Sequence, residues 1–211
     1  MDKNALIVVD MQNDFIHGSL KIKDAYKIVH NVNKLLSLSF DYKIATQDWH
    51  PKEHVSFAST WKKKPGECIM MGDFEQKLWF DHCIQGTAGA EFEEDVDVNH
   101  FDFIVHKGTR KEVDSYSTFF DNQKLHTTGL EAYLRNAEVK DLFFCGLATD
   151  YCVLYSVIDA KDLGFRPYVV YDACCGIGLK DNDIDNAISI MKSLGAEFLT
   201  VTDLEKRLKK K

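Results

Sequence analysis

The chain has 211 residues, of which 45% are hydrophobic and 28% charged, ordinary values for a soluble globular protein with room for a sizeable core. A formal net charge of −7 argues against nucleic acid as a main partner. No apolar run approaches bilayer length and no signal-peptide pattern opens the chain, so neither a membrane partner nor secretion is expected.

Ala5 to Val9 is an apolar run that Asp10 ends, and it reads as a buried parallel strand with Asp10 projecting from its carboxyl end. Met11 to Gly18 is a polar loop. Asp24 is placed to cap a helix reaching about Ser39, with Ile28, Val32, Leu35 and Leu36 on one face. Tyr42 to Thr46 reads as a second strand running into Gln47-Asp48-Trp49-His50-Pro51. Residues 51 to 100 have little regular periodicity, and a loop of that length in a compact domain is usually functional. Within it, Lys62 to Lys64 reads as a solvated turn.

Phe101 to His106 is a third strand, ending at Lys107-Gly108, and Gly129 to Asn136 a short helix. Leu142 to Cys145 is a fourth strand leading through Gly146 to Val153 into a helix over Leu154 to Leu163. Pro167 to Tyr171 is a fifth strand, and Asp181 begins a helix stopped by Gly195. Phe198 to Val201 is a sixth strand, Thr202 caps a last basic helix, and Lys209 to Lys211 reads as its frayed end. The alternation predicts an α/β fold: one domain over residues 1–211, with a mostly parallel six-stranded sheet and helices on both faces.

Asp10, Lys107 and Cys152 each follow a different strand, and parallel strands gather their carboxyl ends on one edge. Cys152 falls at a strand-to-helix junction, where backbone N–H groups and the helix dipole favour a thiolate of lowered pKa and can hold an oxyanion. An aspartate to take the thiol proton and a lysine to hold anionic forms complete a triad for acyl transfer from an amide. The blander readings are a buried apolar Cys152 and an Asp150 that caps the helix. Six cysteines without a C-x-x-C pair argue against a disulfide framework and for a reducing cytoplasm that leaves Cys152 free.

A second group is Asp48-x-His50 followed by His82, a carboxylate and two imidazoles able to face one ion, with zinc, iron or manganese all compatible. These residues lie in a candidate metal-binding region over about 48–100. His54 is a weaker candidate ligand. The same three residues also match the facial triad of a non-haem iron oxygenase, a reading that leaves the cysteine group without a role. A non-catalytic metal-binding protein would need neither the triad nor its combination with the metal set.

Several stretches resemble a known family. Ile7-Val8-Val9-Asp10-Met11-Gln12-Asn13-Asp14-Phe15, His106-Lys107-Gly108 and Leu147-Ala148-Thr149-Asp150-Tyr151-Cys152-Val153 are similar to three motifs of the isochorismatase-like cysteine hydrolases. Gln47 to Pro51, Val55-Ser56-Phe57 and Trp79 to Thr87 resemble the nicotinamidase branch of that family.

The resemblance implies hydrolysis of nicotinamide to nicotinate and ammonia through a cysteine thioester, a step of NAD salvage. It implies Asp10, Lys107 and Cys152 as the triad, and the N–H groups of Ala148 and Cys152 as the oxyanion hole. It further implies a cis Leu147–Ala148 bond, and Asp48, His50 and His82 as ligands of one divalent metal, zinc foremost. Phe15 and Trp79 would sandwich the pyridine ring, with Tyr116 a further substrate contact. Some relatives carry another histidine ligand where Ser56 stands, so Ser56 is expected to reach the ion through water or not at all. The segment Lys62 to Lys77 is longer than in the shortest members and would cover the pocket or form an oligomer contact, and a homo-oligomer is expected. A sister hydrolase acting on another small amide or carbamoyl compound is the alternative.

Overall fold

The computed structural model describes residues 2–208, so the predicted fraying at Lys209 to Lys211 lies outside it. Six strands form one parallel sheet: β1 (Lys3–Val9), β2 (Tyr42–Asp48), β5 (Phe103–Lys107), β6 (Val139–Leu147), β7 (Arg166–Cys175) and β8 (Glu197–Leu199), in the order β5-β2-β1-β6-β7-β8. A separate antiparallel hairpin joins β3 (Cys68–Met71) to β4 (Phe74–Lys77). Six α-helices complete the described chain: α1 (Asn13–Ile16), α2 (Val29–Leu36), α3 (Leu130–Asn136), α4 (Leu154–Asp162), α5 (Asp183–Ser193) and α6 (Val201–Leu208).

The unbroken apolar run of β1 follows from burial on two faces. Leu6 and Val8 pack with Val32 and Leu36 of α2 and Leu204 of α6, whereas Ala5, Ile7 and Val9 pack with Leu134 of α3, Val157 of α4 and Met191 of α5. Successive side chains of a strand point to opposite faces, so a strand covered on both cannot alternate apolar with polar. Each large aliphatic side chain taken out of water there contributes about 1.5–3 kcal/mol. At Gly146 the strands β1 and β6 come too close for any side chain, since an added Cβ would strike the main chain of Val9, and the residue's φ of +105° suits glycine as well.

Several boundaries differ from the sequence reading. Asp24 does not cap a helix: it sits at φ +65°, makes no capping bond and pairs with Lys27 at 2.9 Å. A 3₁₀ turn over Ala25–Ile28 precedes α2. Thr202 lies inside α6, and the cap is Thr200, whose Oγ1 accepts from the Asp203 amide at 3.1 Å. Among the described residues no helix is long and apolar enough to cross a membrane.

Candidate active site

The sheet order runs outward from β1 in both directions, so the chain changes direction between β1 and β6. Doubly wound sheets leave a crevice outside the carboxyl ends of the two strands at that point. Asp10 follows β1 there, and Ala148 to Cys152 follow β6. Lys107 is the last residue of β5 and stands in register with Asp48, the last of β2. The register therefore brings both of the predicted groups to one edge.

Lys107 is the hub. Its Nζ lies 2.8 Å from Asp10 Oδ2, 2.5 Å from Asp48 Oδ1 and 3.3 Å from Cys152 Sγ, and it donates to the Ser115 carbonyl at 3.1 Å. Asp10 Oδ1 accepts from Thr46 Oγ1 at 2.6 Å. Asp10, Asp48 and Cys152 bring one atom each within 4.8 Å of one another. Burial works to discharge Lys107, but Asp10 and Asp48 outweigh it and hold the ammonium well above the usual lysine range. Burial pushes the Asp10 carboxyl up, with Lys107 offsetting only part of the effect. Burial likewise pushes the Cys152 thiol well up, again against Lys107. The lowered thiol pKa expected from sequence is thus not that of the resting cleft, because desolvation of the sulfur exceeds the pull of the ammonium. The junction also differs from a plain helix start: Thr149–Val153 form a π-helical turn before α4.

Asp48 joins this group to the second one. Its other oxygen, Oδ2, lies 3.6 Å from His50 Nε2 and 3.8 Å from His82 Nε2. His50 Nδ1 is 2.9 Å from the Gly108 carbonyl and His82 Nδ1 is 2.7 Å from the Phe80 carbonyl. A carbonyl only accepts, so both Nδ1 atoms carry a proton and both Nε2 atoms face the carboxylate. A buried carboxylate and two imidazoles oriented from behind by carbonyls suit a divalent transition ion. Burial works against the charge of Asp48, yet Lys107 and then His50 outweigh it and hold the carboxyl well below the usual range.

His54 and Ser56 stand apart from this set. His50, His54 and Asp114 do bring ligand atoms within 4.8 Å, but both His54 nitrogens are committed. Nδ1 pairs with Ser56 Oγ at 2.7 Å, and Nε2 donates to the Val113 carbonyl at 3.2 Å. Burial first and His50 second push this imidazole down to about 4, so it stays neutral. His54 and Ser56 satisfy one another.

The groups open on a narrow cleft. Phe15, Trp79, Tyr116, Ala148 and Cys152, all singled out from sequence, line it together with Asp48 and His82. Trp79 Nε1 donates to the Tyr116 hydroxyl at 3.1 Å and its ring meets Tyr151 edge-on at 4.9 Å. The Leu147–Ala148 peptide is cis.

Other contributors escaped the sequence reading. Gln12, fully buried, grips the main chain of Asp48 by accepting from its amide and donating to its carbonyl, both at 2.8 Å. Asp150 caps no helix: its two oxygens accept from the amides of Ile177 and Gly178, each at 2.8 Å, and so hold a loop whose Ile177 lines the cleft. The segment Lys62 to Lys77, expected to cover the pocket or form an oligomer contact, contains the hairpin, and Gln76 of β4 donates to Asp114 Oδ2 at 3.2 Å. Asp114 lines the cleft, so the hairpin buttresses the wall.

A family model described as the isochorismatase domain matches residues 4–203. The nicotinamidase of Escherichia coli is 37% identical over 209 residues, covering 97% of this chain and 98% of its own. A nicotinamidase/pyrazinamidase structure from Acinetobacter baumanii superposes with a TM-score of 0.92 at 38% identity, covering 97% of this chain and 99% of its own. A Pyrococcus horikoshii pyrazinamidase in complex with zinc gives 0.75 at 35% identity, covering 94% and 99%.

Proposed function

The chain belongs to the isochorismatase family, and from that membership and its cleft we infer that it is a nicotinamidase, an amide hydrolase that converts nicotinamide to nicotinate and ammonia. The observation that carries the reading is Lys107 Nζ, which touches Asp10, Cys152 and Asp48 at once and so puts a thiol, a proton acceptor and a metal-ligand set in one cleft.

Cys152 acts as nucleophile and Asp10 takes its proton: the raised carboxyl makes Asp10 a stronger base than an ordinary aspartate, while Lys107 beside the sulfur offsets part of the burial that holds the thiol up. The sulfur bonds to the carboxamide carbon, and the N–H groups of Ala148 and Cys152 receive the oxyanion. Asp10 returns the proton to the departing nitrogen, the C–N bond breaks and ammonia leaves. A water then attacks the thioester with Asp10 again as base, releasing nicotinate and the thiol. Lys107 holds the negative charge that passes between Asp10 and Cys152.

Asp48, His50 and His82 would hold a divalent ion, zinc first with iron or manganese as alternatives, which would supply a Lewis acid for the pyridine nitrogen. Phe15 and Trp79 enclose the ring, and Tyr116 closes the wall beside Trp79. The proposed setting is the cytoplasm, in keeping with six unpaired thiols. A homo-oligomer belongs to the same reading, with Met70 and Leu125, 66% and 67% exposed on one groove, as apolar contact surface.

The test is ammonia release from nicotinamide by purified protein, before and after chelation and metal return. Turnover that falls with chelator and recovers with a divalent ion supports both groups together. Metal-loaded protein that ignores nicotinamide but hydrolyses another small amide would keep the triad and discard the pyridine site.

A further inference from the structure

A hydroxyl that the chemistry does not use ties together the two segments that meet at the thiol. Ser156, in the first turn of α4, is fully buried. Its Oγ donates to the Cys152 carbonyl at 2.6 Å and accepts from the Thr118 amide at 2.9 Å. Bonding back to the carbonyl four residues earlier is ordinary for a helical serine. Receiving a main-chain amide from 38 residues away is not.

Thr118 ends the short run that starts at Ser115, whose carbonyl accepts from Lys107 Nζ at 3.1 Å. Tyr116, between them, lines the cleft. On the other side, the amides of Tyr151 and Val153 both reach the Ala148 carbonyl at 3.1 Å, so the turn carrying the thiol is wider than an α-helix. One hydroxyl therefore connects the carbonyl of the residue bearing the sulfur to the segment that receives the ammonium, and that ammonium lies 3.3 Å from the sulfur.

We propose that Ser156 is a positioning residue for the hydrolysis: through its two bonds it sets the place of the Cys152 turn relative to Lys107. The proposal rests on the reading of Cys152 as nucleophile. Ser156 touches none of Phe15, Trp79, Asp48, His50 or His82 through these bonds, and of the residues at the ring only Tyr116 shares the segment it holds, so its loss acts chiefly on the chemical step and spares the ion.

The experiment compares Ser156→Ala, Ser156→Cys and Ser156→Thr in the metal-loaded full chain, with Cys152→Ala as control. Active sites are counted by mass-spectrometric mapping of alkylation at Cys152 itself, and metal content is measured. Ser156→Ala lowers kcat about ten- to a hundredfold. KM for nicotinamide stays within about twofold, metal content is unchanged, and Ser156→Thr, which keeps the hydroxyl, recovers the loss. A purely structural serine would lower the melting temperature and leave kcat per intact site alone. A kcat within about twofold of the parent, or a KM that rises in step with the loss, overturns the proposal. If the alanine variant does not fold, Ser156→Cys, of similar size and a weaker donor, is judged by the same two outcomes. Turnover surviving in Cys152→Ala would instead overturn the nucleophile.

Discussion

Lys107 is 1% exposed and keeps its charge because Asp10 and Asp48 face it. Removing one member of a buried ionic group strands the others, which costs about 3–5 kcal/mol. Lys107→Met fills the space but leaves two carboxylates near one another without their cation. It is expected to lower the unfolding free energy by that amount in urea titration, and to cut kcat at least about a hundredfold in whatever protein remains folded. A variant that unfolds like the parent would mean that the carboxylates do not depend on the ammonium. At this scale Asp10, Asp48, His50 and Lys107 were readable as reactive types just past apolar runs and Cys152 from its strand-to-helix junction, while His82, in the irregular stretch, offered itself only as a third ligand type. Gln12 and Asp150 were not readable. What an amide or a carboxylate does is decided by its partner, and theirs lie 36 and 27 residues away. The thiol pKa was misjudged for a related reason: burial, which dominates it, has no sequence signature.

Strands showed in the sequence through their apolar middles, while their ends were set by neighbours. β6 begins at Val139 because Lys3 pairs with it, and β7 continues to Cys175 because Leu147 does. The hairpin went unseen because each of its strands has four residues and only Gln76 of β4 is fully covered, too little alternation to register. Elements also carry constraints that no single side chain reports. Gly108, just past β5, has φ +62°, and a Cβ there would overlap the His50 imidazole, whose Nδ1 is bonded to the Gly108 carbonyl at 2.9 Å. One residue thus supplies the turn, the space and the acceptor that orients a ligand. Gly108→Ala should displace that imidazole and weaken the divalent ion about ten- to a hundredfold, read by competition with a chromogenic chelator. Unchanged affinity would place His50 outside the ion's coordination.

For the whole molecule, the doubly wound order brings β1 and β6 side by side and sends the chain away from them in both directions, so the crevice between their carboxyl ends belongs to the topology. Alternation of strand and helix was enough to expect that edge, and the resemblance of six separate stretches pointed to the residues that meet there. Because Asp48 touches both Lys107 and the imidazoles, an ion held by Asp48, His50 and His82 couples to the global fold. A ligand that binds only the folded state adds about 3–4 kcal/mol when its free concentration is 100–1000 times Kd, or roughly 6–16 °C in melting temperature for a chain of this size. Chelation should remove that increment and return of the ion restore it. The increment should also depend on pH with a definite sign. An imidazole must lose its Nε2 proton to bind a cation. Burial works to discharge His50, but Asp48 outweighs it and raises the imidazole above its ordinary value. The metal-dependent part of the stability is therefore full at alkaline pH and fades as pH falls, starting above the ordinary imidazole value of about 6.5. Calorimetry with and without chelator across that range gives the answer directly, since an increment that stays constant to well below that value would mean that the ion is held by oxygen ligands alone.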